Sequence, residues 1–212
     1  MVAIGTISGT VVIFNANELK EEHRFEDAHG SSSVSDVVFN RAGTMVYTCG
    51  EDRNICEFSL ASGECTRQWC HNKKSGATRL ALSPNEDSLA SASNEVRVWD
   101  LSTGSKTASF TGHPSPCTVL SWTDGNYIFS GAADDRHLSV WTFDSKGDAK
   151  KRALVTLGMG QAPRALTVQA RDNSNEEFLI CAIGSTYEEA SVFLWNTNSK
   201  HSVKALQPQT KI

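Results

Sequence analysis

Short runs of β-branched and aromatic residues recur along the chain, separated by Gly, Asp, Asn and Ser. Runs of this length, bounded by turn-forming residues, are typical of β-strands, and apolar residues at helical spacing are scarce. The clearest runs lie at residues 10–14, 34–39, 45–49, 55–58, 96–99, 127–130, 138–141 and 192–195. The pattern predicts an all-β fold.

One class of these runs ends in an aromatic residue that returns at regular intervals. The aromatic residues are Phe14, Phe58, Trp99, Trp141 and Trp195, separated by 44, 41, 42 and 54 residues. A four-stranded propeller blade takes roughly 40–45 residues. We therefore expect a β-propeller over residues 1–212, with a partial first blade over 1–27 that begins at its second strand. Complete blades are expected over about 28–72, 73–111, 112–157 and 158–205.

Two of the repeats share the order histidine, hydroxyl residue, aspartate and aromatic residue, with the aspartate six positions before the aromatic residue. The residues are His29, Thr48, Asp52 and Phe58, and then His113, Ser130, Asp135 and Trp141. An indole N–H only donates, whereas a hydroxyl accepts and passes a proton on to histidine, which in turn donates to a carboxylate. The order predicts a hydrogen-bonded network inside each blade.

The dipeptides Trp99-Asp100 and Gly112-His113 are similar to those that mark the WD-repeat β-propeller family. The resemblance extends from residue 3 to about residue 205. It implies a propeller that binds other proteins and most often has seven blades. About five blades would then be present, with the N-terminal ones missing; a complete five-bladed ring is the alternative.

Some repeats depart from the family pattern. Phe14 and Phe58 stand where the family has tryptophan, so those repeats lack the indole donor. In the third repeat, Ser93-Asn94-Glu95 leads directly into the strand that ends at Trp99. That repeat is expected to lack both its histidine and its turn aspartate.

The charge and the cysteine content limit the classes of function that the chain could have. The 24 acidic and 20 basic residues give a net charge of −4, without the basic excess that accompanies binding to nucleic-acid phosphates. Contact with RNA is therefore expected to be local or indirect. The six cysteines are irregularly spaced, which favours reduced thiols in an intracellular protein. No apolar stretch reaches the roughly 18 residues of a membrane-spanning helix.

No motif for catalysis, metal binding or a cofactor stands out, and no small-molecule substrate is expected. Cys65, Cys70 and His71 lie close together in sequence but lack a second ligand pair at zinc spacing. Asp134 precedes a turn residue, and the charged run at 146–152 mixes both signs. We interpret both as solvent-facing.

Residues near the turn aspartate and at the entry to each first strand are expected to lie on the surface that binds partners. These candidate partner-facing residues are Ser33, Glu51, Lys74, Pro116 and Asp134.

Four segments resemble the WD-repeat subunits of the small-subunit processome, namely residues 4–11, 47–58, 110–116 and 127–141. The last segment has a lengthened turn, because eleven positions separate Ser130 from Trp141. The resemblance implies a non-catalytic nucleolar scaffold, bound to protein subunits, that supports pre-rRNA transcription and processing. A ubiquitin-ligase substrate receptor and a scaffold in another complex are the alternatives. Asp100 is followed by Leu101-Ser102, so the Trp-Asp-x-Arg motif of such receptors is absent.

Overall fold

The computed structural model describes residues 1–123, 127–142, 155–170, 178–185, 190–196 and 204–206. These ranges contain strands and turns but no helix, which confirms the all-β prediction. No described segment is therefore a helix long and apolar enough to cross a membrane. The charged run at 146–152 lies outside the described residues.

The described residues form nineteen strands, numbered in chain order. They are β1 (Val2–Gly5), β2 (Val11–Asn15), β3 (Lys20–Phe25), β4 (Val34–Phe39), β5 (Met45–Gly50), β6 (Asn54–Ser59), β7 (Glu64–Cys70), β8 (Arg79–Leu82), β9 (Ser88–Ala92), β10 (Glu95–Asp100), β11 (Lys106–Thr111), β12 (Cys117–Thr123), β13 (Tyr127–Ala132), β14 (His137–Thr142), β15 (Val155–Gly158), β16 (Ala162–Ala170), β17 (Phe178–Ser185), β18 (Ala190–Asn196) and β19 (Lys204–Leu206).

The strands form five antiparallel sheets in which each strand pairs with its neighbours in sequence. The first sheet contains β1 to β3, and the other four contain four strands each. We number these sheets blade 1 to blade 5. The first strands of successive blades contact one another, β1 with β4, β4 with β8, β8 with β12 and β12 with β16. Sheets arranged side by side through their first strands are characteristic of a β-propeller.

Four apolar clusters fill the spaces between successive blades. Between blades 1 and 2, Val11 and Ile13 are buried with Val46, and the ring of Phe25 lies 4.3 Å from that of Phe58. Between blades 3 and 4, the ring of Phe110 lies 5.4 Å from that of Trp141. Burying one such side chain stabilises the fold by about 1.5–3 kcal/mol. The stability of each blade thus depends on contact with its neighbours.

The connections that carry the predicted residues lie at one end of the strands in blades 2, 3 and 4. In a four-stranded antiparallel sheet, the loop that leads into the first strand and the turn between the second and third strands lie at the same end of the strands. We call the surface formed by these connections the loop face. In blade 2 the two connections touch, because the Glu51 backbone N–H donates to the Ser33 carbonyl at 3.0 Å.

Candidate functional site: the blade networks and the loop face

Blade 2 holds a histidine network that begins at the loop face. The His29 ring is buried, with Nδ1 2.8 Å from Asp52 Oδ1 and Nε2 2.7 Å from Thr48 Oγ1. Asp52 also accepts from the Asn54 backbone N–H at 3.2 Å, which closes the turn. Phe58 occupies the aromatic position in this blade and packs against Phe25. The network therefore ties the loop before β4 to strand β5 and to the turn after it.

Blade 4 carries the same network with an indole added. His113 Nδ1 donates to Asp135 Oδ2, and Nε2 lies 2.7 Å from Ser130 Oγ. Trp141 Nε1 donates to the same Ser130 oxygen at 2.6 Å. Because Ser130 accepts from the indole, its own proton is free to go to the histidine. Four side chains from separate connections and strands are thereby linked within one blade.

Blade 3 contains a histidine where the sequence predicted none, so that expectation was wrong. His71 is fully buried, with Nδ1 2.8 Å from Ser91 Oγ, and Trp99 Nε1 donates to that oxygen at 2.7 Å. The residue before His71 is Cys70 rather than glycine, which hid the motif. The spacing would have revealed it, since 28 positions separate His71 from Trp99 and His113 from Trp141.

The expected loss of the turn aspartate in blade 3 has a structural consequence. Arg97 stands beside the histidine instead, donating through Nη1 to the His71 carbonyl and through Nε to Glu95 Oε1 at 2.9 Å. Among the described residues, no hydrogen-bond acceptor or donor faces the buried His71 Nε2. The His71 ring thus has no aspartate bonded to it, unlike the histidine rings in blades 2 and 4, and a guanidinium contacts the His71 backbone.

This environment keeps His71 uncharged at neutral pH. Burial, reinforced by the Arg97 guanidinium and opposed by Glu95, lowers the pKa of His71 from 6.5 to about 4. A group whose pKa is lower in the folded state stabilises the fold fully above its unfolded pKa. That contribution is lost as the pH falls from the unfolded value toward the folded one.

We expect acid to destabilise the natural protein more than a His71→Gln variant. The free energy of unfolding should fall by about 2 kcal/mol more in the natural protein between about pH 7 and pH 5. Urea unfolding at several pH values measures the difference. Parallel pH profiles for the two proteins would show that His71 is not held neutral by the fold.

The remaining network residues have clear backbone positions. Asp100 follows Trp99 at the end of β10 and accepts at Oδ1 from Ser102 Oγ at 2.6 Å and from the Thr103 backbone N–H at 2.8 Å. The hydrogen bond from Ser102 contributes most to lowering the pKa of Asp100. Asp100 therefore stabilises a turn at the end of the strands opposite the loop face.

The last network residue is Trp195. It lies in β18, where its backbone is paired with Ile180 and Ala205.

The turns of blades 2 and 4 each place an arginine in a left-handed backbone conformation. Arg53 follows Asp52 with φ 74°, and Arg136 follows Asp135 with φ 53°. Non-glycine residues adopt this conformation rarely, because it costs backbone free energy. In each turn the preceding aspartate is bonded to a buried histidine, and the arginine itself is exposed on the loop face.

The candidate partner-facing residues lie on the loop face with different exposure. Glu51, Lys74, Pro116 and Asp134 are exposed, whereas Ser33 is half-buried. Asp134 donates its backbone N–H to Ser115 Oγ at 3.3 Å, so its carboxylate remains available to solvent. Whether these residues contact a partner stays a prediction.

The two cysteines near His71 in sequence do not share its environment. Cys65 and Cys70 are exposed, whereas His71 is buried. Within the described part of the chain, no three His, Cys, Asp or Glu side chains converge as a metal site would require. Cys49 and Cys117 are buried free thiols, and burial raises the pKa of Cys117 to about 12. These buried thiols are unreactive at neutral pH.

The repeats match a known protein family. The family model described as WD domain, G-beta repeat matches residues 20–59, 63–100 and 104–142, together more than half of the chain. The chain belongs to the WD-repeat family. Each match begins with the last strand of one blade and ends with the third strand of the next, as in β3 followed by β4 to β6. Repeats of this family mediate protein–protein interactions and generally serve as non-catalytic scaffolds.

Several curated proteins are similar to the chain. Human WD repeat-containing protein 43 is 22% identical over 197 residues, which cover 86% of this chain and 29% of that protein. Human pre-mRNA-processing factor 17 is 27% identical over 57% of the chain and 21% of its own length. Pre-rRNA-processing protein IPI3 of Mycosarcoma maydis is 31% identical over 57% of the chain and 23% of its own length. The chain thus spans less than a third of each relative.

Proposed function

We propose that the chain is a non-catalytic WD-repeat scaffold in a nucleolar ribosome-biogenesis complex, the small-subunit processome. There it supports pre-rRNA transcription and processing toward the small-subunit ribosomal RNA. The similarity to WD repeat-containing protein 43 over 86% of the chain carries the proposal. Relatives named as pre-mRNA-processing and pre-rRNA-processing proteins support a role in nuclear RNA processing.

The chemistry of the blades supports a scaffold rather than an enzyme. General acid–base catalysis needs a titratable side chain that reaches a substrate. His29, His71 and His113 are buried and hydrogen-bonded within their own blades. Their function is to fix the loops of the loop face in place, which gives partner proteins a rigid surface.

The net charge of −4 favours protein partners over extended RNA. Phosphate-dominated binding needs an excess of basic residues along the contact surface. We therefore assign pre-rRNA contact to local sites or to neighbouring subunits, and the main interactions to protein subunits of the complex.

Affinity purification of the protein tagged at its own gene tests the proposal. The tagged product is recovered at low salt and its companions are identified by mass spectrometry, with an untagged strain as the control. Small-subunit processome proteins are expected among the companions. Recovery of cullin subunits, or of no nucleolar protein, would overturn the proposal and favour a ubiquitin-ligase receptor or another assembly.

A further inference from the structure

The boundary between blades 2 and 3 carries a loop that is fastened to the neighbouring turn. The His71 backbone N–H donates to the Arg53 carbonyl at 2.8 Å, and Arg53 Nη1 donates to the Lys73 carbonyl at 2.8 Å. At the other end, a Cβ on Gly76 would lie 2.3 Å from the Gly50 carbonyl oxygen, so only glycine allows this approach. The loop at 71–76 therefore lies directly against the turn at 50–53.

Side chains within the loop also restrain it. Asn72 Oδ1 accepts from the Lys74 backbone N–H at 3.1 Å, and Asn72 Nδ2 donates to Glu95 Oε1 at 2.5 Å. A surface that is ordered before binding loses less conformational entropy when a partner arrives. The loop thus presents its exposed side chains on a preorganised support.

Two cationic side chains of the loop and one of the adjoining turn lack a counter-ion. Arg53, Lys73 and Lys74 are exposed, and we call them the basic patch. No carboxylate of the described residues lies within ion-pair distance of any of them. Of the neighbouring carboxylates, Asp52 pairs with His29 and Glu95 pairs with Arg97. Exposed Glu51 is in no ion pair among the described residues and leaves the patch with a cationic excess. The patch is therefore free to attract an anionic ligand.

We propose that the basic patch binds an acidic peptide segment, with clustered Asp and Glu side chains, from a partner protein. The inference rests on the proposed scaffold function and adds the chemistry of one partner. Arg53 supplies a planar donor pair suited to a carboxylate, while Lys73 and Lys74 supply compact point charges. Exposed Glu51 lies in the same turn as Arg53, and like-charge repulsion there favours placing the acidic segment toward the lysines.

The surface favours a peptide over single-stranded RNA. Single-stranded nucleic acid is held by basic grooves together with aromatic side chains on which bases stack. Every aromatic side chain whose burial the structure describes is buried or half-buried. The basic patch therefore offers charge without a stacking surface, which suits carboxylates.

Charge reversal on the full chain tests the proposal. The double variant K73E/K74E is compared with K20E/K106E, which reverses two exposed lysines on the outer strands β3 and β11. Binding is measured by fluorescence anisotropy with a labelled oligoglutamate peptide, using oligoglutamine and oligouridine of the same length as comparison ligands. We expect K73E/K74E to weaken oligoglutamate binding at least about tenfold and K20E/K106E less than about twofold.

Amide chemical shifts locate the contact independently of the variants. Titration with oligoglutamate should shift the amides of residues 50–53 and 71–76, and this effect should weaken as salt rises. Equal loss of binding in both double variants, or tighter binding of oligouridine than of oligoglutamate, would overturn the proposal. A chain that binds oligoglutamate but recovers no RNA-processing protein in cells would refute the proposed function while leaving the basic patch intact.

Discussion

Replacing Asp135 with alanine is expected to destabilise the fold by about 1–3 kcal/mol. The Asp135 side chain is 2% exposed and pairs with His113 Nδ1. The other ring nitrogen is already engaged by Ser130, which accepts from Trp141. The substitution leaves a buried donor without an acceptor and releases the turn from the network. Urea or thermal unfolding of the natural protein and the variant measures the loss.

The adjacent Asp134 provides the matched control. Its side chain is exposed, and only its backbone N–H bonds to Ser115. Asp134→Ala removes the same charge from the same turn and is expected to change stability by less than about 0.5 kcal/mol. An Asp135→Ala protein as stable as the Asp134→Ala protein would show that the blade 4 network does not hold the turn.

The strand pattern and the repeat period were visible in sequence because both depend on local chemistry. β-Branched runs between turn residues identified strands such as β4 and β14, and one aromatic residue marked each repeat. His71 was not predicted for a related reason, since the family motif has a small residue such as glycine or alanine before the histidine and blade 3 has Cys70 there. The constant distance to the tryptophan is a better signal, because the strand lengths between them are fixed by the blade.

Contacts between blades were not predictable in this way. Asp36 Oδ2 accepts from the Leu80 backbone N–H at 2.8 Å, and Arg79 Nε donates to the Thr118 carbonyl at 2.8 Å. Burial raises the pKa of Asp36 although the backbone N–H groups of Leu80 and Val37 donate to its carboxylate. The bonds between blades join residues roughly one repeat apart, and their partners depend on how neighbouring sheets are rotated. No local spacing rule marks them. The sequence therefore singled out Lys74 as partner-facing but did not group it with Arg53 and Lys73, which the structure brings together at one of these boundaries.

Replacing Gly9 with alanine is expected to destabilise the fold by about 2–4 kcal/mol, the sum of a backbone and a packing effect. Gly9 has φ 85°, and a Cβ there would lie 2.0 Å from the Gly30 carbonyl oxygen. The Gly9 carbonyl also accepts from the His29 backbone N–H at 3.1 Å. Relief of the clash must move the loop that carries His29, so the blade 2 network is disturbed as well.

A Gly158→Ala variant is the matched control, because it replaces a glycine with alanine where the added methyl group meets no neighbour. Gly158 ends β15, and a Cβ there would meet no atom within 4 Å. Gly158→Ala should therefore change the free energy of unfolding by less than about 0.5 kcal/mol. If both variants unfold at the same denaturant concentration, blade 1 does not pack tightly on the β3–β4 loop. The expected result is a loss of unfolding free energy in Gly9→Ala alone, with shifted amide signals around His29 and Asp52. It would show that contact with blade 1 helps to position the histidine network of blade 2.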